Sequence, residues 1–272
     1  VCSSDLNAII QDYIHFLKSK KNLQENTVIR YMKVVKKITN MALANDWIDK
    51  NPFMNIHFHE QEVHKEFLTK EELGILRTKV FNVPRLELVR DIFLFQCWTG
   101  LAFIDVSELK PEHLVTDNQG NVWIRKARQK TKVMCNIPLL DIPLAILDKY
   151  RGYPLCEKKG TLLPVPCNQK TNSYLKEIAD FCGIKKNLTT HTGRHTFSTV
   201  VALANNVSLE NVAKMLGHTN TKMTQRYAKV LDQSILRDMQ NVRESFSTKN
   251  HLKIKTATQS IRTVADFLYS SY

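Results

Sequence analysis

Apolar residues recur at helical spacing from the start of the chain. Leu6, Ile9, Ile10, Tyr13, Phe16 and Leu17 form one stripe that ends at the basic group Lys18, Lys20 and Lys21. From Glu25 to Trp47, Val28, Met32, Val35, Ile38 and Ala42 keep the same period, while Arg30, Lys33, Lys36 and Lys37 fall on other faces. Asn51-Pro52 stops this second helix, because the residue before a proline is pushed out of the α region. The pattern predicts a small helical unit with basic faces. Residues 54–67 have no clean period and read as a linker. Thr69 and Glu72 then have the spacing of a capping box, with Leu68 placed as a staple residue, so a second unit begins here.

In the second unit a helix carries Leu86, Val89, Ile92, Phe93 and Gln96 from Pro84 to Trp98, and Gly100 supplies its stop. Residues 113–117 and 122–127, separated by Asn118-Gln119-Gly120-Asn121, read as a hairpin. A third strand over 133–137 closes on Pro138. Further helices are predicted at 142–150 and, after a proline-rich loop at 154–167, at 173–182, with Tyr174, Leu175, Ile178 and Phe181 inward. Phe197, Val200, Val201 and Ala204 bury the helix headed by His191, Ser208 opens a short helix to Met215, and another spans 220–230. In the tail, Leu231, Ile235, Met239 and Val242, then Ile261, Val264, Ala265 and Leu268, repeat at helical spacing. The expected fold is mainly α with a small antiparallel β-sheet (α+β), arranged as units 1–60 and 61–245 and a tail at 246–272.

A chain of 272 residues with 43% hydrophobic content can build two cores. Lys+Arg 39 against Asp+Glu 26 leaves +13, which suits a polyanion, either nucleic acid or an anionic membrane surface. No run approaches the ~20 apolar residues that span a bilayer, and the first residues lack the basic stretch and cleavage site of a secretory leader. A cytoplasmic protein is expected. The six cysteines are scattered without a Cys-x-x-Cys pair and read as reduced thiols. His57, His59 and His64 match no standard ligand spacing, so no metal site is expected. The chain opens on Val1 and not on methionine, which suggests a piece of a longer protein.

The candidate chemistry lies between His191 and Tyr227. His191 and Arg194, three apart, leave one face of a helix and would form one cationic edge. Leu216-Gly217-His218 follows, and Tyr227 stands nine residues beyond His218. Phosphodiester exchange needs an oxygen nucleophile, donors for charge on the equatorial oxygens, and a group that manages protons. Taken singly, each feature has a plain structural reading: a solvated helix face, a glycine helix stop, a packed tyrosine. Their order and distances together resemble the tyrosine recombinase (phage integrase) family, with its His-x-x-Arg, Leu-Gly-His and nucleophilic tyrosine. Thr99, Gly100 and Leu101, with Asp105 at the acidic position, resemble the family's Thr-Gly-Leu-Arg-x-x-Glu box, and Ala102 stands where its arginine would be. Lys130, eight residues ahead of Pro138, falls where the family places its hairpin lysine.

The resemblance, to a subgroup lacking the first catalytic arginine, implies a helical core-binding (SAM-like) domain followed by a catalytic integrase domain. It implies site-specific DNA strand exchange: Tyr227 attacks the phosphate to give a 3′-phosphotyrosyl link, and no ATP, metal or cofactor is needed. Arg194, His191 and His218 would bind the phosphate, His191 being the better general base, and Lys130 would protonate the departing 5′ oxygen. Arg128 lies two residues before Lys130, and in an extended chain both would share a face, so Arg128 is the candidate to replace the arginine missing at Ala102. Lys20, Lys21, Arg30, Lys33, Lys37, Lys132, His195 and Lys222 are candidate DNA contacts. The implied partners are double-stranded recombination sites, sister copies in a tetramer on DNA, and accessory DNA-bending proteins, with no membrane. A mobile-element integrase at the bacterial nucleoid fits this reading, with a tail that packs into a neighbouring protomer. The rival classes are a type IB topoisomerase, a DNA-binding protein of the same fold impaired by Ala102, and a metal-dependent nuclease. The acidic residues form no cluster with ligand spacing for the last of these.

Overall fold

In the computed structural model, which describes residues 3–61, 65–228 and 239–244, the chain opens with helices α1 (Ser3–Ser19) and α2 (Glu25–Ala44). Ile10, Leu17, Val28, Met32 and Phe53 form their core, with Ile14, Leu23, Val35, Ile56 and Phe58 packed around it. Ile38, expected inward, lies a turn beyond the last α2 residue of that set and is 60% exposed. The described residues up to Gln61 form this unit, and those from Lys65 onward form the other.

The second unit begins at the capping box. The Glu72 N–H donates to Thr69 Oγ1 at 3.2 Å and the Thr69 N–H to Glu72 Oε2 at 2.7 Å, opening α3 (Lys70–Thr78), and Leu68 is fully buried. Helix α4 (Pro84–Thr99) buries Leu86, Val89, Ile92, Phe93, Leu94, Phe95 and Cys97, which cover nearly its whole circumference. It is therefore a central helix. It packs against α6 (Asp141–Lys149), α8 (Asn168–Phe181) and α9 (Thr190–Thr196). Between α4 and α6 come the short α5 (Phe103–Ser107) and an antiparallel sheet of β1 (Leu114–Thr116), β2 (Val122–Ala127) and β3 (Met134–Pro138), in that order. Ile124 pairs with Leu114 on one side and Ile137 on the other, and both Ile124 and Ile137 enter the core.

Three expectations change. The proline-rich stretch contains a short helix, α7 (Pro154–Lys159), because Pro154 occupies a first-turn position where its missing N–H costs nothing. In α8 the inward stripe is Thr171, Leu175, Ile178 and Ala179, which leaves Phe181 off the stripe and 55% exposed. Most consequentially, α9 ends at Thr196, and residues Phe197–Ala202 continue as a π-helical stretch, followed by a 3-10 turn at Leu203–Asn205. The wider turn rotates the phase, so Phe197, Ser198, Thr199 and Ala202 are buried while Val200, Val201 and Ala204 are only partly so. Ser208 accepts the Asn211 N–H at 3.2 Å and opens α10 (Leu209–Met215), and α11 (Lys222–Ala228) carries Tyr227. Met239 and Val242 are exposed. Leu231, Ile235 and the set from Ile261 to Leu268 lie outside the described residues. Among the described residues no helix is long and apolar enough to cross a membrane.

Candidate active site

Arg194 is the centre of the site, and it is buried to 2% exposure. A buried guanidinium is costly unless its N–H groups find acceptors. Here the acceptors are two helix ends. Nη1 donates to the Gly100 carbonyl at 2.5 Å, where α4 stops, and Nη2 donates to the Leu216 carbonyl, where α10 stops. Each carries the negative end of its helix dipole, so the backbone itself neutralises part of the charge. Burial, and next the neighbouring Arg128 guanidinium, bring the Arg194 pKa down to about 10, with Tyr227, Cys135 and Asp105 opposing the shift. The side chain remains a cation at neutral pH.

Both helix stops depend on glycine. Gly100 has φ +67°, and a Cβ there would lie 2.3 Å from Phe197 Cδ1. Gly217 has φ +60°, and a Cβ there would lie 2.7 Å from Cys135 Sγ and 3.3 Å from Arg128 Cδ. The motif Leu-Gly-His thus has three separate tasks: a carbonyl for Arg194, a left-handed turn packed under Arg128, and an imidazole. His218 Nε2 lies 3.2 Å from Arg194 Nη2, and its Nδ1 lies 2.8 Å from Thr224 Oγ1. A guanidinium only donates, so Nε2 accepts, and the ring proton resides on Nδ1 and points to Thr224. Thr224 is fully buried on α11, three residues before Tyr227.

The hairpin between β2 and β3 brings the second guanidinium. Arg128 Nε lies 3.9 Å from Asp105 Oδ2, with the two side chains 11% and 1% exposed, and Asp105 Oδ1 accepts the Gln129 N–H at 2.9 Å. Asp105 sits on α5, just beyond Ala102, so Arg128 faces the acidic residue of the Ala102 box. The alternation argument that paired Arg128 with Lys130 fails. β2 ends at Ala127, and residues 128–132 form a turn closed by the Lys132 N–H on the Arg128 carbonyl at 2.8 Å. Arg128 therefore points into the protein while Lys130 is exposed at the turn. Burial pushes the Cys135 thiol up, so the sulfur beneath the two guanidiniums is neutral.

His191 and Arg194 do not form one exposed edge. His191 is exposed, Arg194 turns inward to the two carbonyls, and the His191 ring stands edge-on to His195 at 4.6 Å. His195, expected at the DNA surface, is 4% exposed, with the Tyr227 ring 5.2 Å away. Tyr227 is 7% exposed and joins Phe197, Ala202, Val212 and Leu216 in a small apolar cluster. The other candidate contacts, Lys20, Lys21, Arg30, Lys33, Lys37, Lys132 and Lys222, are exposed. Lys33 pairs with Glu60, and Lys132 Nζ donates to Gln129 Oε1 at 3.2 Å. Sequence reasoning missed Thr224 and the two carbonyls. No side-chain pattern announces a carbonyl, although glycines at both helix stops were a usable sign.

Among the described residues no group of three His, Cys, Asp or Glu side chains converges in a way that could hold a metal ion. A cavity of about 530 Å³ lies beside the sheet, lined by Leu114, Val122, Leu144, Leu147, Tyr150 and Arg151, and Arg128, Lys130, His191, Arg194, His218 and Tyr227 do not border it. A substrate that lies across the surface, as a duplex does, needs no such cavity.

Two guanidiniums and an imidazole gathered near a tyrosine suit transfer of a phosphoryl group to a hydroxyl. Residues 66–234 match the phage integrase family and residues 7–60 match a phage integrase SAM-like domain, and the chain belongs to the phage integrase family of tyrosine recombinases. A tyrosine recombinase of Pseudothermotoga lettingae is 23% identical over 279 residues, covering 84% of this chain and 96% of its own length. The tyrosine recombinase XerD of Staphylococcus epidermidis is 23% identical over 284 residues, covering 83% and 95%. The crystal structure of a lambda integrase dimer bound to a COC' core site shares the fold at a TM-score of 0.60 with 18% identity, covering 84% of this chain and 79% of that one.

Proposed function

We propose that Tyr227 is the nucleophile with which this tyrosine recombinase cleaves and rejoins DNA at specific sites. Its hydroxyl gives its proton to His191 as general base and attacks the scissile phosphorus, the P–O bond to the 5′ oxygen breaks, and the DNA remains joined through a 3′-phosphotyrosyl bond. Lys130 gives a proton to the departing 5′ oxygen, and the 5′-hydroxyl of a partner strand reverses the step. Arg194 and Arg128 take the charge of the equatorial oxygens, with Arg128 in place of the arginine absent at Ala102. His218 and His191 hydrogen-bond the phosphate. Double-stranded DNA is the partner. Four copies assemble on two sites, with accessory DNA-bending proteins where the element requires them, at the bacterial nucleoid. The observation that carries this reading is the Arg194 cluster: a buried cation fixed by two helix ends, with the His218 imidazole 3.2 Å away.

The test uses a tiled set of nicked suicide duplexes covering the DNA on either side of the gene that encodes this chain. Parent protein should form a covalent adduct that survives denaturing electrophoresis, and Tyr227→Phe should bind with nearly unchanged affinity and form none. An adduct retained by Tyr227→Phe would overturn the assignment.

A further inference from the structure

Lys130 sits in a turn fixed at its base and open at its tip. The Arg128 N–H donates to the Val133 carbonyl and the Lys132 N–H to the Arg128 carbonyl, each at 2.8 Å, and Lys132 adopts φ +57°. The Lys130 side chain is exposed, with no ion-pair partner among the described residues. One side chain of the turn reaches across to the other half of the site. Thr131 Oγ1 donates to the Gly217 carbonyl at 3.0 Å, across 86 positions of sequence. That carbonyl lies between Leu216, whose carbonyl holds Arg194, and His218. The space above Gly217 is filled by Arg128 carbons, Cδ and Cβ standing 3.3 and 3.4 Å from where a Cβ would be. The lysine turn and the histidine turn are therefore joined by one polar tie over a close-packed base.

We propose that Thr131 is a positioning residue that holds the Lys130 turn against the Leu216-Gly217-His218 turn, so that Lys130 meets the departing 5′ oxygen. The proposal rests on the reading of Lys130 as the general acid. Proton transfer needs the donor within hydrogen-bond reach of the leaving atom. A lysine on a long flexible stem achieves this only if its backbone is held. Valine at 131 has the same shape and no donor, so the tie can be removed without emptying the space.

The experiment measures single-turnover cleavage by the full chain at saturating duplex, using the sequence captured by Tyr227. One duplex has the natural 5′-bridging oxygen, the other a 5′-bridging sulfur. A thiol has a pKa near ~8.5, so the sulfur leaves as thiolate and needs no general acid. On oxygen, Lys130→Ala should lose about 10²–10⁴-fold, the usual share of a general acid, and on sulfur it should return near the parent rate. Thr131→Val should lose about fivefold on oxygen, the population one neutral hydrogen bond holds, and nothing on sulfur, while Thr131→Ser keeps most of the parent rate. Equal loss by Thr131→Val on both duplexes would mean the tie serves His218 or folding alone, and would overturn the proposal. So would parental rates on both. If Lys130→Ala is not restored by sulfur, the reading of Lys130 itself falls, and the proposal with it.

Discussion

Replacing Arg128 by alanine separates what the hairpin arginine does for the reaction from what it does for the fold. Arg128 is 11% exposed, and its Nε faces Asp105 Oδ2 at 3.9 Å, with neither atom hydrogen-bonded to anything else among the described residues. At that distance the pair is an attraction without a hydrogen bond. Its loss leaves Asp105 buried at 1% exposure with the Gln129 N–H as its remaining donor. Two unit charges about 4 Å apart attract by about 1–4 kcal/mol between a water-like and a near-surface dielectric. Relief of the Arg128–Arg194 repulsion works against this, so the lower part of that range is expected. The rate effect should be larger in proportion: removing one preorganised donor from a developing oxyanion typically costs ~10²–10³. The assay is single-turnover cleavage at saturating duplex, beside a binding isotherm and a denaturant midpoint. Arg128→Ala should fold, bind DNA with most of the parent affinity, and cleave about 10²–10³ more slowly. Arg128→Lys should recover part of this, because it restores the charge without the fork. Arg128→Ala with Ala102→Arg should also regain activity, since position 102 lies two residues beyond the Gly100 carbonyl that holds Arg194. Cleavage by Arg128→Ala at the parent rate would refute the reasoning.

Gly217→Ala should cost roughly 1–2 kcal/mol for the left-handed backbone and about 1–3 more for crowding Cys135 Sγ at 2.7 Å; a denaturant midpoint equal to that of the parent would contradict it. DNA affinity should fall steeply with salt: if the seven lysine and arginine candidates each neutralise a phosphate, log K falls with log salt at a slope of about −6. Lys20→Gln with Lys21→Gln should then flatten the slope by about 2, and an unchanged slope would place the DNA face elsewhere.

The elements that sequence displayed were those governed by local chemistry. The Thr69–Glu72 box, the Gly100 stop and the three short strands each depend on residues within a few positions of one another. What sequence did not display depends on backbone groups or on phase. The π-helical stretch at Phe197–Ala202 has an ordinary apolar pattern, and only the tertiary packing shows that its phase has turned. Arg194 and His191 share a helix face on paper, yet one is buried and the other exposed, because the partners of Arg194 are carbonyls 94 and 22 positions away. Arg128 was selected by the alternation of an extended chain. It is a turn residue, and its link to Asp105 comes from the third dimension.

The hydrogen-bond inventory of Arg194 limits how a phosphate can be received. A guanidinium has five N–H groups. Three are engaged in this structure: one on Gly100, one on Leu216 and one on His218 Nε2. The two carbonyl bonds fix the group in a buried place and compensate its charge, so giving them up would leave a desolvated cation poorly paired. The contact to His218 is the one that chemistry can exchange. It joins a cation to a neutral imidazole acceptor, and a phosphate oxygen is a stronger acceptor for the same N–H. In the proposed mechanism a phosphate meets the two remaining N–H groups, or takes the Nη2 N–H in place of His218 Nε2, which then faces the phosphate as a donor in its Nε2–H form. Thr224 permits either state, because a hydroxyl both accepts from Nδ1–H and donates to a bare Nδ1. The fold thus fixes Arg194 through backbone acceptors that no ligand has to supply.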